Sequence, residues 1–450
     1  MKRHNSNTTH PHIVIVGAGF GGLRAARALA SAPVRVTLID RRNYHLFQPL
    51  LYQVASAGLT PEEIAYPIRS ILRRQRNLTF MLAEVYRVDL KDHQLFTSAG
   101  AIPYDYLILA AGSVTNTFGL SSITQHAYGL KDIDEALAIR NHVLSRFELA
   151  TQQTDPKLRQ TMLTFVVVGG GPTGVECAGA LAELIRLVLR KDYPDLMLSQ
   201  ARVILLEATD RLLSHLPPDL GQAAQRALRQ KGVEVWLGAQ VQDYDGQCVK
   251  LTDGRALPTQ TLIWAAGVQA AELIQNLPVT LGAQKRVRVL PTLQLPGYPR
   301  VFVIGDAAYL EDEGGRPLPM MAPVAMQQGE HAARNILHNL QGHPLQPFRY
   351  RDLGSMATIG RNQAVAALFG LHLKGWIAWL IWLFVHLMQL VGFRNRLVVL
   401  INWAWEYFRY ERAARLIYPP PQAHQGIPST ASQPSETPSV ASLAAPHIHS

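Results

Sequence analysis

The sequence predicts an α/β fold in which one glycine-turn unit is inserted into another. Two observations carry that prediction. The pattern strand–glycine turn–helix–strand occurs twice, and each copy is followed at a distance by a strand ending in Ala-Ala-Gly. A third observation is a change of texture after Pro344, where tryptophan and arginine displace the alternating pattern.

The first copy opens with the apolar run Ile13–Val16, breaks into Gly17-Ala18-Gly19-Phe20-Gly21-Gly22, continues as a helix (Leu23, Ala26, Leu29, Ala30) and closes with a strand from Val34 to Asp40. A buried strand, a tight turn and a returning strand are the parts of a right-handed crossover. The second copy has a strand at Phe165–Val168, a turn from Gly169 to Gly174, a helix from Val175 to about Arg190 and a strand from Val203 to Glu207. The Ala-Ala-Gly strands are Tyr106–Gly112 and Thr261–Gly267, and another strand, Val301–Ile304, ends on Gly305-Asp306. The chain therefore divides into residues 12–115 plus 290–340 around an inserted unit, residues 116–289. A C-terminal region spans 344–418, and a Pro-, Ser- and Ala-rich tail, 419–450, is expected to be disordered because it lacks the apolar content to offset chain entropy.

Two cysteines in 450 residues, Cys177 and Cys248, exclude a disulfide framework, a CxxC redox pair and a four-cysteine metal site. No metal site is expected. The N-terminus runs from a short polar tail straight into Ile13, without the pattern of a secretory signal. Net charge is +10, and residues 341–418 hold nine Lys/Arg against three acids. These basic residues are interleaved with Trp and Leu rather than with base-reading polar groups, which favours a lipid surface over nucleic acid.

A lone GxGxxG is a weak signal, but here Gly17, Gly19 and Gly22 follow a buried strand, open a helix and precede Asp40 by about twenty residues. In such a turn the first glycine bends the chain, the second admits a pyrophosphate and the third lets helix and sheet pack, while a carboxylate binds the ribose diol. Two such units make two Rossmann-like dinucleotide sites. The first, paired with Asp306, is expected to hold FAD, and the second, with Gly169, Gly171, Gly174 and Glu207, to hold NADH. A carboxylate at Glu207 repels the 2′-phosphate of NADPH. Glu176 is expected in the first turn of the second helix, either as a capping acid or lining the nicotinamide–flavin junction. The stretch His45–Gln53 (HLFQPLLYQ) reads as core packing or as a wall of the flavin pocket.

At HLFQPLLYQVA (45–55), GGGPTGVE (169–176), VIGDAA (303–308) and GFRNRLVVLINWAWEYF (392–408) the chain resembles the type II NADH:quinone oxidoreductases, single-subunit flavoproteins that do not pump protons. The resemblance covers about Ile13 to Ile417. It implies FAD held by Gly17, Gly19, Gly22, Asp40, Arg41, Gln48, Ala111, Gly112, Asp306 and Ala325. It implies NADH at Gly169, Gly171, Gly174, Glu176, Glu207 and Gly267, quinone reduction on the opposite flavin face, and attachment to a membrane, commonly as a homodimer. Glu176, Gln327 and Lys374 are the candidate catalytic residues. Much of the family has AQxAxQQ below the flavin; here Ala322-Pro323-Val324-Ala325-Met326-Gln327-Gln328 places Pro323 at the first glutamine, so the quinone type does not carry over. Lys374 matches a lysine the family often places near its quinone tunnel; the alternative is a surface lysine.

Gly375–Phe393 is 19 residues without Lys, Arg, Asp or Glu, close to the roughly 20 a membrane span needs. Beyond it, Leu397, Ile401, Ala404 and Phe408 share one helical face, and Asn402, Glu406 and Arg409 another. Clustered Trp beside Arg predicts a helix lying in the interface, with a span and a buried dimer contact as alternatives. The expectation is an FAD-dependent enzyme carrying electrons from NADH to membrane quinone (ubiquinone, menaquinone or plastoquinone), peripheral on the cytoplasmic side of the cell inner membrane. A sulfide:quinone-type oxidoreductase and a slow NADH-sensing flavoprotein are the alternatives.

Overall fold

Two parallel sheets on a single plan place the glycine turns at equivalent points. They are described in a computed structural model that covers residues 10–194, 196, 200–409, 412 and 414–418. The tail 419–450 lies outside the described residues. In the first sheet the strands run in the order Gln294–Leu295, Tyr298–Val303, Tyr106–Leu109, His12–Val16, Arg35–Asp40, Leu78–Leu82. All neighbours are parallel except the first pair. In the second the order is Tyr128–Gly129, Thr261–Trp264, Thr164–Val168, Arg202–Leu206, Val233–Trp236, parallel throughout. Each glycine-turn strand is central, and its five residues are buried. Continuous apolar runs of this kind suit strands covered on both faces.

The duplication extends further than the sequence pattern suggests. Each unit also carries a three-stranded antiparallel sheet, Val85–Asp89/Gln94–Thr97/Gly100–Pro103 in one and Val241–Tyr244/Cys248–Leu251/Ala256–Pro258 in the other. The chain passes between units at Ser113–Thr115 and Val268–Ala270, which pair antiparallel with Ser113 opposite Ala270. The two Ala-Ala-Gly ends are thereby tied side by side.

The C-terminal region, expected to be helical, begins instead with an antiparallel sheet of Ser355–Thr358, Ala364–Leu368 and Leu371–Gly375. It joins the core of the second unit through Ala357, Ile359, Ala364, Val365 and Ala366. Two helices follow, Trp376–Gln389 and Phe393–Arg409. The first has 14 residues, about 21 Å of helix, short of the roughly 30 Å hydrocarbon core. Among the described residues no helix is long and apolar enough to cross a membrane. The span alternative therefore fails, because Leu390 and Gly392 end the apolar run that the residue count had treated as continuous.

Both helices turn apolar residues outward. Trp376, Ile377, Leu380, Phe384 and Met388 are exposed on the first, and Phe393, Leu397, Leu400, Ile401, Trp405 and Phe408 on the second. The second helix docks through polar groups. Asn395 is buried and donates to the backbone oxygens of Glu62 (3.1 Å) and Glu63 (3.2 Å). Asn402 donates to the Glu63 carboxylate, and Trp403 Nε1 donates to Gln53 Oε1 at 2.9 Å. This amphipathicity is inverted relative to a water-facing helix, whose polar side would be outermost.

Candidate active site

The two glycine turns share their geometry atom for atom. Gly17 N–H donates to Ile39 O at 2.7 Å, and Gly169 N–H donates to Leu206 O at 2.8 Å. Their φ angles, +99° and +113°, lie in the left-handed region where a side chain is strained. A Cβ on Gly22 or Gly174 would meet the oxygen of Gly17 or Gly169 at 1.8 and 1.9 Å, so helix and turn are in contact there. At the middle glycines, Gly19 and Gly171, a Cβ would meet nothing within 4 Å. The protein thus packs tightly around each turn and leaves its central glycine open, the shape of a cradle for a pyrophosphate at a helix N-terminus. The residues present fit two dinucleotides.

The carboxylate closing each unit has the same neighbours. Asp40 accepts from Ala18 N (2.7 Å) and Arg42 N (2.8 Å). Glu207 accepts from Gly170 N (2.5 Å) and from Thr209 N (2.7 Å) and Oγ1 (2.8 Å). Each carboxylate fixes its turn, and its remaining lone pairs are available to a ribose diol. Arg41 is exposed, 3.9 Å from Glu84. Ala111, Gly112 and Gly267 lie half-buried where the two units join, and Ser113 next to them donates to Asp306 Oδ2 at 2.5 Å. Lys131 Nζ is 3.8 Å from the same oxygen, and burial holds its pKa below the ordinary lysine value against the pull of Asp306 and Glu135. Ser113 and Lys131 carry no motif of their own; only the fold brings them to Asp306.

Helix Ala322–Leu340 crosses helix Phe20–Ala28 at a glycine contact, where a Cβ on Gly329 would sit 2.2 Å from Gly21 O. This brings Ala325 beside the first glycine turn, with the buried Gln328 accepting from Gly305 N at 2.7 Å. Gln327 points elsewhere. Its amide is engaged at both ends with the Arg351 backbone, donating to the oxygen at 2.9 Å and accepting from the nitrogen at 3.0 Å. Lys374 is exposed and lines a cavity of about 260 Å³ with Arg226, Gln230 and Gln363, which Glu176 does not line. The three candidate catalytic residues are therefore not brought together.

Glu176 does sit at a junction. It is the fifth residue of helix Pro172–Glu183, whose first turn holds no acid, so it is not the capping group that its distance from the glycines had suggested. Its Oε1 accepts from Thr358 N of the C-terminal sheet at 3.3 Å. Burial raises its pKa to about 8, opposed by the hydrogen bond from Thr358 N and the nearby indole of Trp382. Around it lies an aromatic group. Trp382 stacks on His386 (4.1 Å between centroids), His386 faces Phe47 (6.2 Å), and Phe47 faces Phe20 of the first glycine turn (6.0 Å). Gln48 follows directly, half-buried at the start of the short helix Gln48–Leu50. The stretch His45–Gln53 thus packs between the first glycine turn and the C-terminal helices. The buried His45 holds the Ala18 oxygen through Nδ1 at 2.9 Å, while Phe47 and Gln53 face the C-terminal helices.

Two open cradles, each closed by a carboxylate at the end of its unit, define a flavin- and nicotinamide-dependent oxidoreductase. The comparisons agree. The profile of the pyridine nucleotide-disulphide oxidoreductases matches residues 11–329, and that of the NDH2 C-terminal domain matches residues 353–409. The type II NADH:quinone oxidoreductase Ndh of Mycobacterium tuberculosis is 43% identical over 415 residues, 89% of each chain. An internal alternative NAD(P)H-ubiquinone oxidoreductase A1 of Arabidopsis thaliana mitochondria is 31% identical, covering 87% of this chain and 83% of its own. The structure of NDH2 from Plasmodium falciparum in complex with NADH shares the fold, with a TM-score of 0.84 at 23% identity over 90% of this chain and 99% of that one. This chain belongs to the type II NADH:quinone oxidoreductases, FAD enzymes that transfer electrons from NADH to quinone without moving charge across the membrane. A sulfide:quinone oxidoreductase from Aquifex aeolicus shares the fold more loosely, with a TM-score of 0.64 at 20% identity. Its chemistry does not suit this chain, since Cys177 is fully buried with its thiol pushed up to about 12.

Proposed function

We propose that this enzyme works as a monotopic NADH:quinone reductase on the cytoplasmic side of the cell inner membrane, with NADH entering from water and quinone from the bilayer. The observation that carries this reading is the outward apolar face of both C-terminal helices, the second of which docks on the protein through Asn395, Asn402 and Trp403. An outward apolar face of this kind is stable against lipid and costly against water. Lys374, at the foot of the first outward helix, belongs to the lipid headgroup zone.

When bound, FAD accepts a hydride from NADH and passes two electrons to quinone. Gly17, Gly19, Gly22 and Asp40 bind it, with Arg41, Gln48, Ala111, Gly112, Asp306 and Ala325 around them. Ser113 and Lys131 fix the Asp306 carboxylate. Gly169, Gly171, Gly174, Glu207 and Gly267 bind NADH. Glu176 carries its proton in a dry site at neutral pH and is the buried acid placed to deliver it as quinone becomes quinol. Gln327 holds the Arg351 segment against its helix. The likeness to the family supports a homodimer.

Co-sedimentation with vesicles of phosphatidylcholine and an anionic phospholipid tests the membrane face. Wild type should stay bound in high salt, because apolar burial is not screened. Leu397→Glu/Ile401→Glu should fall at least tenfold in partitioning, since full burial of each apolar side chain is worth about 1.5–3 kcal/mol. Unchanged binding of that variant, or complete release of wild type by salt, would overturn the reading.

A further inference from the structure

We infer that the indole N–H of Trp382 is a hydrogen-bond donor for a quinone carbonyl, on the inward side of the same helix whose outward side meets the membrane; this rests on the quinone-reductase reading above. The side chain is 1% exposed, one of the largest fully buried in the molecule. Its Nε1 has no hydrogen-bond acceptor in good geometry among the described residues, and the group it faces is the Glu176 carboxyl. A buried N–H without a partner is uncommon and costly, so such a donor is poised for a ligand acceptor.

The surroundings suit a quinone, a flat, aromatic diketone. Trp382 is fixed by His386 at 4.1 Å, nearly parallel at 22°, and by Trp403 at 5.9 Å. His386 Nδ1 bonds the Trp382 backbone oxygen at 2.8 Å, and burial lowers the ring's pKa to about 4, so it is neutral and presents an aromatic face rather than a cation. The donor is thus held at a set angle, and aromatic rings are offered for stacking. Other polar groups nearby are already engaged. Gln53 accepts from Trp403 and donates to the Tyr52 hydroxyl at 2.9 Å. The Trp382 N–H and the protonated Glu176 carboxyl it faces are two donors for one carbonyl oxygen.

The test uses the full-length holoenzyme in detergent, with decylubiquinone and with ferricyanide as acceptors. Trp382→Phe keeps a ring and deletes the N–H. The inference expects KM for decylubiquinone to rise about five- to twentyfold, with the NADH KM, the ferricyanide rate and the flavin content unchanged. If phenylalanine loosens the core, replacement of Trp382 by benzothienylalanine keeps the shape of indole and removes only the N–H; it should give the same rise in KM. An unchanged quinone KM in the benzothienylalanine enzyme overturns the inference, as does an equal loss with both acceptors. Because no vesicle is involved, failure here is distinct from failure of the membrane reading, which lipid partitioning decides.

Discussion

At the residue scale the two glycine turns carry most of the argument. Gly17, Gly22, Gly169 and Gly174 were legible because each has a conformational or steric duty, and Gly19, Gly171, Asp40 and Glu207 through their fixed spacing from them. The contacts of Ser113, Lys131, Thr358 and Trp382 were not, since each reaches a partner far away in sequence and has no local pattern. Glu176 was found by its motif but misplaced by one turn, because helix Pro172–Glu183 begins earlier than the apolar pattern suggests. The open middle glycine makes a clean prediction. A Cβ on Gly19 meets no protein atom within 4 Å, so Gly19→Val should fold yet purify without flavin absorbance. Recovery with full flavin would remove the FAD assignment. Glu176 makes a second prediction. Its pKa of about 8 in the folded protein exceeds the ordinary 4.5. The folded state therefore binds the extra proton, and this contribution is complete below about pH 4.5 and lost as pH rises through about 8. Thermal unfolding from pH 5 to 8.5 should show wild type losing stability relative to Glu176→Gln as pH rises. A gap that does not change with pH would show that Glu176 ionises normally.

At the element scale, the strands of both parallel sheets were legible as continuous apolar runs bounded by glycine, and duplication made each copy support the other. The small antiparallel sheets Val85–Pro103 and Val241–Pro258 were not, because their strands are short and mix exposed with buried positions. The sheet Ser355–Gly375 was hidden for a related reason: its strands are short, and the consecutive buried residues Ala357–Thr358 and Ala364–Ala366 leave no alternation to read. The Leu397, Ile401, Ala404 and Phe408 face was visible in the sequence, yet periodicity gives the existence of a face and not its direction. Direction came from the other side of the helix, where buried Asn395 satisfies backbone oxygens of Glu62 and Glu63. The helix whose apolar face we propose meets the bilayer is thus pinned to residues 53–65.

At the scale of the whole molecule, the C-terminal region also ties the core together. Thr358 bonds Glu176, and Arg412 reaches the Ser56 oxygen at 2.6 Å and the Ala180 oxygen at 3.2 Å. Lys231 and Arg412 converge on the buried Glu183, at 2.7 and 3.8 Å. Deleting everything beyond Arg349 would therefore uncover the core of the nicotinamide unit and strand Glu183 among fewer partners, so the outward face is better probed by point substitution. The most direct measurement compares full-length wild type with Leu397→Glu/Ile401→Glu, following NADH oxidation with ferricyanide and with a long-tailed quinone dissolved in vesicles. The account predicts equal ferricyanide rates and at least a tenfold loss with the vesicle quinone in the variant. Equal rates with the vesicle quinone would contradict the claim that the outward helices bring the enzyme to its lipid-dissolved acceptor.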